Sequence, residues 1–228
     1  MARNVVVTGG FGALGRVVAD TFKAQGDTVA RVDFAPSAPD GSGGDLDFAG
    51  VDLTDGEACQ QLVAKIVDKL GGIDVLVNIA GGFTWETLGD GHMDSWRRMF
   101  TMNVMTAATI TQAALEPIKA SAAGRIINIG AGAAIKADTG MGAYAASKAG
   151  VHRLTEALAA ELAGSSVTVN AVLPSIIDTP TNRADMPDAD VSEWVKPQAI
   201  ADAIAFLASS EARAISGALI PVTRGGEG

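Results

Sequence analysis

An α/β fold, a doubly wound parallel sheet of about seven strands with helices on both faces, is what this sequence predicts. Short β-branched runs alternate with longer helical stretches along the whole chain. A glycine-rich turn follows the first run and opens the first helical stretch. No internal repeat or linker divides the 228 residues, a length that one such domain fills, so a single domain over 1–228 is expected.

The strand candidates are Val5–Thr8, Thr28–Asp33, Leu46–Val51, Ile73–Asn78, Arg125–Gly130, Val167–Leu173 and Ala218–Val222. Helices are expected between them, at Gly12–Gln25, Asp55–Leu70, Met93–Ala120, Gly142–Ala163 and Pro197–Ser209. Ala35–Gly44, rich in Pro, Gly and Ser, reads as a surface loop. A second irregular stretch, 178–196, follows a strand end, where α/β enzymes place loops that cover a substrate.

Composition excludes several functions. With 48% hydrophobic and 19% charged residues the chain is not a disordered one. A net charge of −9 leaves no basic stripe for a nucleic-acid partner. No apolar run reaches the ~18 residues of a membrane span. Met1-Ala2-Arg3 runs at once into the first strand, leaving no room for a leader, so a cytoplasmic location is expected. Cys59 is the one cysteine, which excludes an internal disulfide, and no residue spacing suggests a metal site.

The turn Thr8-Gly9-Gly10-Phe11-Gly12-Ala13-Leu14-Gly15 lies between a strand and a helix. Gly9, Gly12 and Gly15 allow a tight bend and let backbone N–H groups approach a pyrophosphate, with Phe11 and Leu14 in the same cradle. That is a Rossmann-type nucleotide site. The second strand ends in Val32-Asp33, where a carboxylate accepts bonds from ribose hydroxyls and repels a 2′-phosphate, so NAD(H) is expected over NADP(H). Arg31 should point away from Val32, toward a neighbourhood the sequence leaves open.

Tyr144-Ala145-Ala146-Ser147-Lys148 falls on an expected helix. The i, i+4 spacing puts phenol and ammonium on one face, and a nearby cation should depress Tyr144 below its usual value of about 10. An acid–base group for chemistry near neutral pH results.

Together these motifs resemble the short-chain dehydrogenase/reductase family, over essentially the whole chain. The resemblance rests on the glycine turn, Asp52-Leu53, Asn78-Ile79-Ala80-Gly81, Asn103, Tyr144 with Lys148, and Pro174-Ser175-Ile176-Ile177-Asp178-Thr179. It implies that Asp52 and Leu53 meet the adenine, that Asn78, Ala80 and Gly81 line the ribose wall, and that Pro174, Ile177 and Thr179 lie at the nicotinamide. Lys148 would hold the nicotinamide ribose and Asn103 would help place a relay water. The resemblance also implies a homodimer or homotetramer through the helices bearing Asn103 and Tyr144, acting on a small-molecule substrate.

The sequence departs from the family pattern in three places. The glycines repeat every third residue, Ser175 replaces a usual glycine, and Ala131 stands where the family carries its catalytic serine. A methyl group donates no hydrogen bond, and losing one such donor commonly lowers a rate by about a hundredfold or more. Dihydropteridine reductases, a branch of the family, also lack that serine and share the glycine spacing. On that likeness Phe83 and Trp85 fall beside the substrate, and Trp194 could close over it.

The leading expectation is therefore hydride transfer from NADH to a conjugated imine- or quinone-like acceptor, a quinonoid dihydropterin being the specific candidate. An ordinary ketone or secondary-alcohol dehydrogenase is the alternative, and a silent nucleotide-binding regulator is a third. His92 and His152 lack paired ligand spacing and read as a helix-start residue and a surface or interface residue. Trp96 and Phe206 read as packing.

Overall fold

The computed structural model describes residues 2–39 and 46–225. Seven parallel strands form one sheet in the order β3-β2-β1-β4-β5-β6-β7. They are β1 (Asn4–Thr8), β2 (Thr28–Val32), β3 (Asp47–Phe48), β4 (Val75–Asn78), β5 (Arg125–Ile129), β6 (Thr168–Pro174) and β7 (Leu219–Val222). The chain reverses direction across the sheet between β1 and β4, and ligands of such folds bind in the crevice beyond the carboxyl ends of those strands.

Alternation along the strands builds both faces of the core. Val6, Ala30, Ile126 and Val169 point to one side, against α2 (Gly56–Leu70), α4 (Thr106–Ala120) and α5 (Gly142–Glu161). Val5, Val7, Val29, Val75 and Ile127 point to the other, against α1 (Ala13–Ala24) and α7 (Pro197–Leu207). Helix α2 begins where the Asp55 carboxylate accepts the Glu57 and Ala58 N–H groups, and ends at Gly71 in the left-handed region, φ 81°.

Three expectations are corrected. Leu46–Val51 contributes a strand only over Asp47–Phe48, because it sits at the sheet edge with a single neighbour, β2. The expected helix Met93–Ala120 is α3 (Met93–Phe100), a π-helical turn over Thr101–Met105, and α4. Irregular 178–196 contains α6 (Pro180–Asp185), which Thr179 caps by accepting the Asn182 N–H. Of the expected loop Ala35–Gly44, residues 40–44 lie outside the described residues.

Candidate active site

The glycine turn is built by close backbone approach. Gly9 has φ +63°, and a Cβ there would lie 2.9 Å from Ala80 N, so the loops after β1 and β4 touch at this point. A Cβ on Gly15 would overlap Gly9 O. Thr8 ties the same two loops together: its hydroxyl oxygen accepts the Ile79 N–H at 3.0 Å and the Ala80 N–H at 3.2 Å. Helix α1 is capped at Gly12 with no side-chain bond and no acidic residue in its first turn, an arrangement that suits an anion.

Asp33 lies at the carboxyl edge of β2. Its carboxylate accepts the Phe11 N–H at 2.9 Å and the Ala35 N–H at 3.0 Å, which fixes it beside the glycine turn. Arg31 forms a two-pronged pair with Asp47 at 2.7 and 2.6 Å and lies 5.5 Å from the Phe11 ring centroid. Its guanidinium is thereby packed under the turn, only 4% exposed.

At the other side of the cleft, α5 carries Tyr144 and Lys148 on one face. Lys148 is buried and its Nζ donates to Ile129 O at 2.8 Å, so the ammonium is seated on the end of β5. Burial lowers its pKa from 10.5 to about 8. The expectation for Tyr144 is overturned: burial raises the phenol to about 12. Desolvation of the phenolate is the cause. Phe83 stands edge-on to Tyr144, with ring centroids 4.9 Å apart and planes at 80°.

Asn103 sits in the π-helical turn, 2% exposed. Its side-chain oxygen accepts the Gly82 N–H at 2.9 Å, and its amide donates to Gly82 O at 3.1 Å and to Ser147 Oγ at 2.9 Å. Ser147 in turn donates to Tyr144 O at 2.7 Å. Asn103 thus clamps the loop after β4 to α5, and a widened turn is a common local device at functional sites. Gly81 has no side chain because Asn103 Oδ1 fills the space where its Cβ would be.

The structure brings Gly9, Phe11, Gly12, Leu14, Gly15, Asp33, Ala80, Gly81, Phe83, Tyr144 and Lys148 to the loops after β1, β2 and β4, the start of α1 and the start of α5, which border the crevice. Trp85 joins them through the loop after β4: it packs over Gly140, whose absent side chain leaves room for the indole, and remains 59% exposed. Ala131 occupies the end of β5, 4% exposed, with only a methyl to offer.

The other expected residues are divided between the interior and the strand ends. Asn78 turns into the interior, where its amide donates to Thr111 Oγ1 and Asn128 Oδ1, both at 2.9 Å. Leu53 is buried in the core, and the Asp52 carboxylate accepts the N–H and hydroxyl of Thr54, which hold its pKa down. Asp52 itself is exposed. Trp194 does not cover the cleft; it is 4% exposed, because the loop is pinned at its base where Ile177 pairs with Val195. Pro174 ends β6, while Ile177 and Thr179 lie at the start of that loop, with Ile177 O accepting from Asn182 Nδ2 at 2.8 Å. Thr8 and Ser147 were missed by sequence reasoning, since hydroxyls carry no pattern of their own.

The residues fit a nicotinamide dinucleotide. The uncapped α1 N-terminus and the side-chain-free approach at Gly9 suit a pyrophosphate, and the fixed carboxylate of Asp33 suits ribose hydroxyls. Among the described residues no group of three or more His, Cys, Asp or Glu is placed to hold a metal. Nor is any helix long and apolar enough to cross a membrane.

Comparison with known proteins agrees with this geometry. Residues 3–190 match the family model described as short chain dehydrogenase. The 3-oxoacyl-(acyl-carrier-protein) reductase FabG of Vibrio cholerae is 30% identical over 96% of this chain and 95% of its own. The acetoacetyl-CoA reductase of Allochromatium vinosum is 31% identical over 99% and 98%. Among solved structures, the aldohexose dehydrogenase of Thermoplasma acidophilum in ligand-free form superposes with a TM-score of 0.86 at 30% identity, covering 97% of this chain and 92% of its own.

Proposed function

Because the chain belongs to the short-chain dehydrogenase family, we propose that it transfers hydride between NADH and a small conjugated imine, quinonoid or carbonyl acceptor, with Tyr144 as proton donor. The observation that carries this reading is the seating of Tyr144 and Lys148 on one helix beside the crevice that the glycine turn and Asp33 border. NADH is favoured over NADPH because a 2′-phosphate would meet the Asp33 carboxylate, while Arg31 is held by Asp47.

Gly9, Gly12, Gly15 and the first turn of α1 would hold the pyrophosphate, Asp33 the adenosine ribose and Lys148 the nicotinamide ribose. Bound there, the nicotinamide supplies or accepts the hydride. Tyr144 gives its proton to the oxygen or nitrogen on which negative charge develops. The Lys148 ammonium favours the resulting phenolate. Asn103 keeps the Gly82 loop and the Tyr144 turn in register.

Ala131 and the aromatic surface narrow the acceptor. Without a second hydroxyl donor, the best acceptor is one that takes hydride with little carbonyl polarisation. A flat, conjugated, electron-poor ring meets that requirement, and Phe83 and Trp85 offer it aromatic surface. A quinonoid dihydropterin is the specific candidate. A plain ketone or secondary alcohol is the second reading, favoured by the relatives named for 3-oxoacyl and acetoacetyl-CoA reduction. We further place the working form as a homodimer or homotetramer through α4 and α5, beside which Phe100, Met102 and Met105 remain exposed.

The test is kcat/KM for quinonoid dihydropterin and for a ketone panel, in the wild type and in Ala131→Ser. The proposal expects the conjugated acceptor to be preferred and Ala131→Ser to raise only the ketone rates, by about tenfold or more. Fast wild-type turnover of a plain ketone with none of the dihydropterin would select the second reading.

A further inference from the structure

The turn that carries Ala131 is held from below by a histidine that the proposed chemistry does not use. His152 is 3% exposed, and its Nε2 accepts the Ala131 N–H at 3.3 Å. Two residues earlier in the same turn, Ile129 O accepts from Lys148 Nζ at 2.8 Å. Lys148 and His152 are i and i+4 on α5 and so share a face. One helix therefore grips Ile129 and Ala131 at once. Between them, a Cβ on Gly130 would stand 2.5 Å from His152 Nε2, so only glycine leaves room for the imidazole.

We propose that His152 is a positioning residue: its neutral imidazole fixes the Gly130–Ala131 turn and, through it, the carbonyl on which Lys148 is seated. The inference deepens the function proposed above and rests on the role given there to Lys148. The bond requires a lone pair on Nε2, which places the ring proton on Nδ1. Protonation would convert Nε2 to a donor facing another donor, and the turn would lose its anchor.

The surroundings keep the ring neutral. Burial is the largest influence lowering its pKa below 6.5, followed by Arg153, with Lys148 adding to it and Glu156 opposing it. All three charged neighbours are on α5. From the strands, the groups nearest the same point are Gly130 and Leu173, neither of them charged. Because the folded value is depressed, the anchor is intact above 6.5 and is lost as pH falls through the folded value.

Two measurements test this on the full chain. The sequence has only two histidines, so 15N–1H spectra of the wild type, assigned with His92→Gln, report His152 directly. The expected result is the Nδ1–H tautomer near neutral pH with titration below 6.5; the Nε2–H tautomer would overturn the proposal. This readout stands even if no acceptor is turned over, so failure of the functional reading is distinguishable from failure of this one.

The second measurement is the pH profile of kcat and of the KM for NADH. His152→Leu should lower kcat on the order of tenfold, the worth of one such hydrogen bond, and raise the KM for NADH with it, because Lys148 also holds the nicotinamide ribose. His152→Gln, whose amide oxygen can accept the same N–H, should recover most of that loss and remove the acidic limb of the profile. Gly130→Ala should be impaired, and combining it with His152→Ala should restore activity only to the reduced level of His152→Ala alone. If Gln and Leu are equally impaired, or both match the wild type with its acidic limb, His152 does not position the turn. Should His152→Leu fail to fold, the Gln variant and the Gly130 pair decide alone.

Discussion

Lys148 makes the fold less stable than it could be, and replacing it with methionine should show this. In the folded protein the ammonium loses its proton at about 8, against 10.5 for an ordinary lysine. That gap corresponds to about 3 kcal/mol of unfavourable charge burial. The unfolded chain binds more protons between those values, so stability rises with pH across that window, and the full burden is present below about 8. Lys148→Met removes the charge but leaves Ile129 O without its donor, a loss of about 1–3 kcal/mol. The variant should therefore match or exceed the wild type at neutral pH, by up to about 2 kcal/mol, while losing activity. Urea unfolding at pH 7 and pH 10 reads the difference, and the variant's advantage should shrink by roughly 2–3 kcal/mol between them. Burial also raises Cys59 to about 11 and Tyr144 to about 12, so both proteins lose stability in the alkaline range and that loss cancels in the comparison. Parallel pH dependences of the two proteins would refute the argument that Lys148 is buried as a charge.

Tyr144→Phe should keep NADH affinity within about twofold while turnover falls by about 10² to 10⁴, measured by stopped-flow NADH oxidation. Asp33→Asn keeps an oxygen for the Phe11 N–H but removes the charge, so fluorescence titration should show the NADH-over-NADPH preference narrowing by about tenfold or more. Gly9→Ala forces a left-handed φ on a residue with a Cβ and presses it on Ala80 N, which together should remove about 2–3 kcal/mol. A thermal melt should then fall by roughly 5 °C or more, with weaker NADH binding.

What was legible in the sequence follows from how local each cause is. The alternation of Val5, Val6 and Val7 between two cores is written in the residues themselves. The glycine turn and the Tyr144–Lys148 spacing are also local, and both sit where they were read. Partners distant in sequence were not legible. That Lys148 is seated on Ile129 O depends on where β5 ends, and the burial that reverses the expected direction for the phenol likewise comes from packing between distant segments. Asn78 looked like a ribose contact until Thr111 and Asn128 were found beside it. Trp194 was read as a lid because nothing nearby in sequence announces the Ile177–Val195 pairing that draws it inward. The π-helical turn is invisible to periodicity for the same reason, since Gly82 and Ser147 come to Asn103 from other elements.

The central claim is that this cleft moves hydride from NADH to a bound acceptor with Tyr144 supplying the proton. Single-turnover oxidation of NADH, and of NADH deuterated at the transferring C4 position, by quinonoid dihydropterin and by a ketone tests it most directly. The account predicts slower turnover of the preferred acceptor with the deuterated cofactor, and a rate that drops by about two orders of magnitude or more in Tyr144→Phe. Equal rates with the two cofactors under conditions where the chemical step limits, or an undiminished rate in the variant, would contradict it.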